Sequence, residues 1–191
     1  MRVILASASP RRVELLGQFH IPFEVIPSDI IENISDLESP KQIVMGLALE
    51  KAISISKTNC EALVIASDTI VYCDEILGKP KSREDAKQML LSLSGKTHEV
   101  YTGIALVHEM THKKIVDYVC TKVTFNKLLE TEIEAYLDTG EAFDKAGAYG
   151  IQGYGALLVS EIIGDYYNVM GLPLSKLNAM LKSNFQMDLL G

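Results

Sequence analysis

Hydrophobic positions in the first third of the chain alternate between strand-like and helix-like patterns. Residues 2–6 (RVILA) form a short apolar run, and 23–27 (FEVIP) alternate with period two, so both predict strands. Helices are predicted over 10–19 and from Pro40 to about Lys57. Each begins on a Ser-Pro pair, and serine is a favoured N-cap and proline a favoured first helical residue. The apolar stripe of the second helix consists of Ile43, Leu47, Ala48 and Ile55.

The middle of the chain is richer in strand patterns. Residues 62–67 (ALVIAS) predict a buried strand that 70–73 (IVYC) continues beyond Asp68-Thr69. The remaining predicted elements are a helix over 83–93 capped by Ser82, a hairpin of strands 97–109 and 113–125, a helix over 129–138, a strand over 156–162 and a helix from near Pro173 to about Asn184. Because strands and helices alternate before a hairpin intrudes, we expect an α/β fold with a mixed central sheet flanked by helices.

Composition and charge narrow the class of protein. A chain of 191 residues, 48% of them hydrophobic, fits one domain over 1–191 with a core that needs no disulfide. A net charge of −7 argues against nucleic acid as a partner, since such binders carry a basic face. The three scattered cysteines predict reduced thiols in the cytoplasm. No signal peptide and no apolar run of about 18 residues is present, so no membrane partner is expected.

Two short motifs match known signatures but lie in the wrong context. HEMTH (108–112) has the zincin spacing, which works only on a helix, whereas this stretch lies at the tip of the predicted hairpin. SGKTH (94–98) ends like a phosphate-binding P-loop, but Leu90 stands where the first glycine is required. It also follows a helix and precedes a strand, the reverse of the required order. We therefore expect neither chemistry.

Two arginines follow Ser9-Pro10 at the start of the first predicted helix. The helix macrodipole already places about half a positive charge there, so cations are unfavourable. In one interpretation Arg11 and Arg12 simply point into solvent. In the other, the backbone N–H groups, the dipole and both arginines converge on an anion such as a phosphate. This stretch alone leaves both interpretations open.

Two further stretches carry candidate chemistry. Asp68 interrupts an apolar run (VIASDTIV, 64–71), and buried carboxylates are rare unless paired, hydrogen-bonded or bound to a metal. It is either a capping residue at a strand bend or a general base or metal ligand at a strand end. Segment 144–156 (DKAGAYGIQGYGA) is rich in glycine, and the Gln152 amide within it suits the polar edge of a nucleobase. A merely flexible loop is the alternative.

Three charged residues are unremarkable when each is taken alone. Lys51 fits a solvated stripe of the second helix, and Lys79, before a proline, fits an ordinary surface lysine. Glu32 lies in an acidic segment after IPSD. Only the sequence blocks around them indicate a function for these three residues.

Together the blocks of this chain resemble the Maf family of nucleoside-triphosphate pyrophosphatases. The blocks, in the family's order, are ASASPRRVELL, EKA, ASDTIV, GKP, LSGKTHEVYTG, DKAGAYGIQGYGA and GDYYNVMGLPL. The resemblance implies a mixed α/β fold of two lobes with a cleft, related to the inosine-triphosphate pyrophosphatases. It also implies metal-dependent hydrolysis of a nucleoside triphosphate to the monophosphate and pyrophosphate. The pattern SPRR, SDT and GIQG is that of the dTTP/UTP branch, whereas the 7-methyl-GTP branch tends to carry a glutamate in place of Gln152.

The resemblance implies a role for each candidate residue. Asp68 is expected to accept the proton of the attacking water, and Asp68 and Glu32 are the candidate metal ligands. Substrate specificity is expected of Arg11, Thr69 and Gln152. Phosphate binding is expected of Ser7, Ser9, Arg12, Lys51 and Lys79. The expected cofactor is a divalent cation, Mg²⁺ or Mn²⁺ with Co²⁺ as an alternative, and the expected substrate is a canonical or modified pyrimidine nucleoside triphosphate.

Other functions stay open beside this one. The family is associated with septum formation and cell shape, which also fits a nucleotide-binding regulator of division that would not need Asp68. An inosine-triphosphate type of enzyme would share the reaction and differ in the base. The strand-rich centre is compatible with a homodimer.

Overall fold

The computed structural model describes residues 1–30 and 39–191. The strands are β1 (Val3–Leu5), β2 (Glu24–Val25), β3 (Leu63–Cys73), β4 (Glu75–Leu77), β5 (Thr97–His108), β6 (Lys113–Phe125) and β7 (Val159–Ile163). The α-helices are α1 (Pro10–Gly17), α2 (Pro40–Ser56), α3 (Arg83–Leu93), α4 (Glu130–Asp138), α5 (Tyr166–Val169) and α6 (Leu174–Phe185). Short 3₁₀ segments cover Glu109–Thr111, Ala146–Ala148 and Gly153–Leu158.

The strands form a mixed sheet. Over the described part of the chain it has seven strands in the order β2-β1-β3-β5-β6-β7, with β4 paired to β3. β1 pairs in parallel with β2 and β3, whereas the pairs β3–β4 and β6–β7 are antiparallel. The predicted α/β class with a mixed central sheet is confirmed. None of the helices in the described ranges is both long and apolar enough to cross a bilayer.

Tertiary contacts divide the chain into two compact units. The first unit consists of Met1–Asp68, Thr102–Val119 and Gly171–Gly191, and the second of Thr69–Tyr101 and Cys120–Met170. The prediction of one domain over 1–191 stays a prediction.

The first unit has a core of small and branched side chains. Ala48 and Ala52 of α2 pack with a cluster of strand residues that includes Ile4, Val64 and Ala105. All five are buried. Small side chains on the helix allow it to lie close to the sheet, since a side chain's size sets the separation between packed elements.

Gly103 on β5 marks a close approach of α2 to the sheet. A Cβ atom at this position would lie 2.2 Å from the carbonyl oxygen of Val44 and 2.8 Å from the backbone nitrogen of Met45. Only glycine fits there, because the atoms that a side chain would meet belong to helix backbone. The close packing of α2 on β5 therefore requires a glycine at this position.

The second unit has its own core, in which α3 packs against α4. Its large buried side chains include Leu90, Leu93, Ile133 and Leu137. On the surface, Lys87 forms an ion pair with Glu130 at 2.5 Å, which adds little to stability because exposed pairs are solvated.

Most predicted elements are confirmed with shifts of one or two residues at their ends. β3 is continuous, so Asp68 lies within a strand and the expected bend or strand end is wrong. The strand predicted over 156–162 begins only at Val159, because Gly153–Leu158 turns as a 3₁₀ segment. β4 and α5 were not predicted.

Candidate active site

The turn between β1 and α1 presents backbone donors. Ser9 occupies the N-cap and Pro10 the first turn, as predicted, but the Ser9 side chain makes no capping hydrogen bond. Instead the Ser9 N–H donates to Ser7 Oγ at 3.1 Å, and Ser7 is buried. The N–H groups of the first turn are therefore not capped by Ser9, which is the state in which a helix N-terminus binds an anion.

Arg12 ties this turn to β3. Its Nε donates to the carbonyl oxygen of Gly171 and its Nη1 to that of Ser67, both at 2.8 Å. Ser67 Oγ also donates to the Gly171 oxygen, at 3.0 Å. The guanidinium thus fixes the start of α1 against the residue that precedes Asp68. Solvent exposure of both arginines, one of the two sequence interpretations, does not fit Arg12.

Asp68 forms a buried ion pair with Lys51. Lys51 Nζ donates to Asp68 Oδ1 at 2.5 Å, and the two side chains are only 14% and 10% exposed. Lys51 therefore does not belong to a solvated helix stripe, and Asp68 does not cap a bend. Two charges this far from solvent are held because each compensates the other. The pair and the Arg12 contacts both lie in the first unit.

Two predicted specificity residues flank this region along the chain. Arg11 is half-buried on α1. Thr69 follows Asp68 on β3 and is half-buried. Successive side chains of a strand point to opposite faces, so the Thr69 hydroxyl and the Asp68 carboxylate leave β3 in opposite directions.

The other predicted residues lie elsewhere in the chain. Lys79, beyond β4, and Gln152, in the glycine-rich segment, are both exposed and belong to the second unit. Glu32, a predicted metal ligand, lies outside the described residues.

The glycine-rich segment is anchored at several points, so the alternative of a merely flexible loop does not fit. Its Tyr149 hydroxyl lies 2.7 Å from His98 Nε2, and the Gly150 N–H donates to the Tyr136 hydroxyl at 3.3 Å. Burial lowers the pKa of His98 from 6.5 to about 4, so the ring is neutral at pH 7. Burial also raises the pKa of the Tyr149 hydroxyl, which stays protonated.

Sequence reasoning missed three residues, of which one contacts the glycine-rich segment and two contact Arg12. The Glu141 carboxylate accepts hydrogen bonds from the N–H groups of Tyr154 and Gly155. Ser67 and Gly171 complete the contacts of Arg12. A glutamate placed directly after the helix-ending Gly140 and before a glycine-rich stretch was the one visible signal for the first of these.

The HEMTH stretch lies at the hairpin tip, as predicted. His108 ends β5, Glu109–Thr111 is a 3₁₀ turn and His112 has a left-handed backbone with φ 54°. His108 Nδ1 lies 2.8 Å from Thr111 Oγ1. Across the residues that the structure describes, no group of three or more His, Cys, Asp or Glu side chains could hold a metal ion.

The single carboxylate of Asp68 suits a metal ion that binds together with a polyphosphate. Mg²⁺ usually takes one or two protein carboxylates and completes its shell with water and substrate phosphate oxygens. One buried carboxylate, held in place by Lys51, can supply such a ligand without a preformed cluster.

Comparison with known proteins places the chain in a fold and a family. A HAM1 protein from Coxiella burnetii superposes with a TM-score of 0.59, over 96% of this chain and 99% of that chain, at 13% sequence identity. That identity is too low to show more than a shared fold, so the chain is first of all a protein with the HAM1 type of α/β fold. It belongs to the Maf family, because the family model described as Maf-like protein matches residues 2–184. The family expected from the sequence blocks is confirmed.

Curated relatives are similar over nearly their whole length. A protein of Clostridioides difficile (strain 630) is 52% identical over 190 residues, which make up 99% of this chain and 98% of that protein. A protein of Bacillus cytotoxicus is 53% identical over 182 residues, or 95% of this chain and 94% of the relative. Both relatives are described as dTTP/UTP pyrophosphatase.

Proposed function

We propose that this protein hydrolyses dTTP and UTP, including modified pyrimidine nucleotides, to the monophosphate and pyrophosphate, and so clears such nucleotides from the pool. The observation that supports it best is the buried Lys51–Asp68 pair, next to an Arg12 that ties β3 to the start of α1. A carboxylate beside cations and a helix N-terminus suits attack on a polyanion. The 52% and 53% identical relatives described by this activity support the same substrate class.

The phosphate chain is assigned to the cations and to the turn before α1. A triphosphate carries about four negative charges, and phosphoryl transfer consists mostly of positioning and charge neutralisation. In this proposal the contacts come from the α1 N-terminus and from the side chains of Ser7, Ser9, Arg11, Arg12, Lys51 and Lys79.

Asp68 is assigned as the base. It accepts a proton from the attacking water while the water oxygen bonds to the α-phosphorus, and the bond from that phosphorus to the α–β bridging oxygen breaks. Pyrophosphate leaves with the bridging oxygen. Lys51 donates a hydrogen bond to the Asp68 carboxylate and so orients it. When the substrate binds, the Lys51 ammonium group can move to contact the phosphate.

A divalent cation, Mg²⁺ or Mn²⁺, fits the proposal, with Co²⁺ as an alternative. Asp68 and Glu32 would hold it. When bound, the ion would supply charge neutralisation on the phosphate oxygens.

Base selection is assigned to Arg11, Thr69 and Gln152. The Gln152 amide can donate to O4 and accept from N3–H of thymine or uracil. Its side chain is exposed, as a group that contacts a ligand must be.

A pyrophosphate assay over a panel of triphosphates tests the function. We expect the purified protein to release pyrophosphate from UTP and dTTP with the highest kcat/KM, with Mg²⁺, Mn²⁺ and Co²⁺ compared in parallel. In H₂¹⁸O the label should enter the monophosphate, as attack at the α-phosphorus requires. Nucleotide binding without turnover would instead support a regulator, and a preference for inosine triphosphate would support the inosine type of enzyme.

Gln152→Glu should change the ranking of bases without slowing every substrate equally. The new carboxylate accepts from N3–H but repels O4, so kcat/KM for UTP relative to GTP should fall by about tenfold, the value of one such hydrogen bond. The measurement is the base profile of both proteins. Gln88→Glu, an exposed helical position in the same unit, introduces the same charge and should leave the profile unchanged. An unaltered profile in Gln152→Glu would remove Gln152 as the base-contacting group.

A further inference from the structure

Glu141 spans two backbone donors that lie two and three residues after Gln152 in the chain. Its Oε1 accepts from the Tyr154 N–H at 3.1 Å and its Oε2 from the Gly155 N–H at 3.2 Å. Both oxygens of one carboxylate are thus used on successive residues. Hydrogen bonds to an ionised carboxylate are stronger than those between neutral groups.

The absence of a side chain at Gly153 leaves room for this carboxylate. The Gly153 backbone has φ +63°, and a Cβ atom there would lie 2.2 Å from Glu141 Oε1. A side chain at this position would therefore displace the carboxylate, in addition to straining the backbone. The glycine after Gln152 allows the contact with Glu141 to exist.

The backbone of Glu141 is itself held in place. Its carbonyl oxygen accepts from Lys145 Nζ at 2.5 Å, and its N–H donates to Thr139 Oγ1 at 3.2 Å. Lys145 also pairs with Asp144 at 2.6 Å. The position of the Glu141 carboxylate is therefore fixed by the hydrogen bonds of its own backbone.

The contact replaces the capping that an N-cap side chain normally performs. Gln152 is the N-cap of the 3₁₀ segment Gly153–Leu158, but its side chain makes no capping hydrogen bond. The N–H groups of the second and third residues of a segment are those that an N-cap side chain usually accepts from. Here those groups belong to Tyr154 and Gly155, and Glu141 already accepts from both.

We infer that Glu141 is a positioning residue for base recognition: by capping the segment in place of Gln152, it keeps the Gln152 amide directed outward for the pyrimidine edge. The inference rests on the proposed function, because it takes Gln152 as the group that contacts the base. It adds to that function a residue that never touches the substrate and acts only through the backbone.

Hydrogen exchange measures the contact without any turnover. We expect the Tyr154 and Gly155 amides of the wild-type protein to be protected, and their exchange to accelerate about tenfold or more in Glu141→Ala. Glu141→Gln keeps one acceptor oxygen and should retain protection at one of the two amides. Glu161→Gln, an exposed position on β7 in the same unit, is the matched control and should change neither amide. Rapid exchange of both amides in the wild-type protein would overturn the inference.

A double-mutant cycle tests whether the effect passes through Gln152. The compared quantity is kcat/KM for UTP divided by that for GTP, in wild type, Glu141→Ala, Gln152→Ala and the double variant. Glu141→Ala should lower the ratio by about tenfold, mostly through KM for UTP, as loss of one substrate hydrogen bond requires. In the Gln152→Ala background it should have no further effect on the ratio.

The outcomes separate the two hypotheses. If the two substitutions change the ratio independently, Glu141 has only a structural role and the inference is wrong, although the wild-type enzyme remains active on UTP. If the wild-type protein turns over no triphosphate, the proposed function fails first. Partial recovery of the ratio by Glu141→Gln would support positioning, because that side chain preserves half of the contact.

Discussion

Asp68→Asn should lower the turnover of UTP by about 10²- to 10⁴-fold, the contribution of a positioned general base. The substituted side chain keeps an oxygen that can accept from Lys51 Nζ, but it cannot take a proton from water. Nucleotide affinity, measured by calorimetry, should change little, because the phosphate contacts assigned to Arg12 and to the α1 N-terminus are untouched. The measurement is single-turnover pyrophosphate release beside the binding isotherm.

Asp117→Asn is the control for this result. Asp117 lies on β6 in the same unit and also pairs with a lysine, Lys176, but its side chain is 42% exposed. The substitution should leave turnover unchanged and stability nearly so. A melting curve of Asp68→Asn shows whether the fold persists. Activity retained at the wild-type level in a folded Asp68→Asn would remove Asp68 as the base.

Gly103→Ala should destabilise the protein by about 3 kcal/mol, the upper part of the range for overpacked cores. The added methyl group would meet the Val44 carbonyl oxygen at 2.2 Å and its carbon at 2.4 Å. These are backbone atoms of α2, which cannot move aside as a flexible side chain can. For a chain of this size the melting temperature should fall by about 10 °C, measured by calorimetry.

Gly46→Ala is the matched substitution on α2, the helix that Gly103 approaches. Gly46 lies inside α2 and is exposed, and an added methyl group would meet nothing within 4 Å. Alanine should stabilise the protein by about 0.5–1 kcal/mol, because it is the better helix former. If Gly103→Ala instead raises the melting temperature as Gly46→Ala does, the close approach of α2 to β5 does not restrict position 103.

Local signals in the sequence predicted local structure well. The Ser-Pro starts of α1 and α2, the Ser82 cap and the long hairpin each depend on neighbours within a few residues, and each is present. The bend or strand end predicted at Asp68 was wrong for the same reason. A polar residue in an apolar run looks like an interruption until its partner is known, and Lys51 lies 17 residues away on another element.

The supporting residues of the site were harder to predict than its central ones. Family blocks pointed to Arg12, but not to the carbonyl oxygen of Gly171, which lies 159 residues further along the chain. Glu141 likewise meets Tyr154 and Gly155 only because Gly153 has a positive φ. Such contacts depend on the path of the whole loop, which no short-range periodicity encodes.

The contact of Arg12 with Gly171 also sets an order of events during synthesis. Arg12 emerges from the ribosome early, yet the oxygen that it binds is translated more than a hundred residues later. A nascent chain stopped before that point could form the Arg12 contact with Ser67 but would lack the one with Gly171. The complete set of Arg12 contacts should therefore form only after most of the polypeptide has been made.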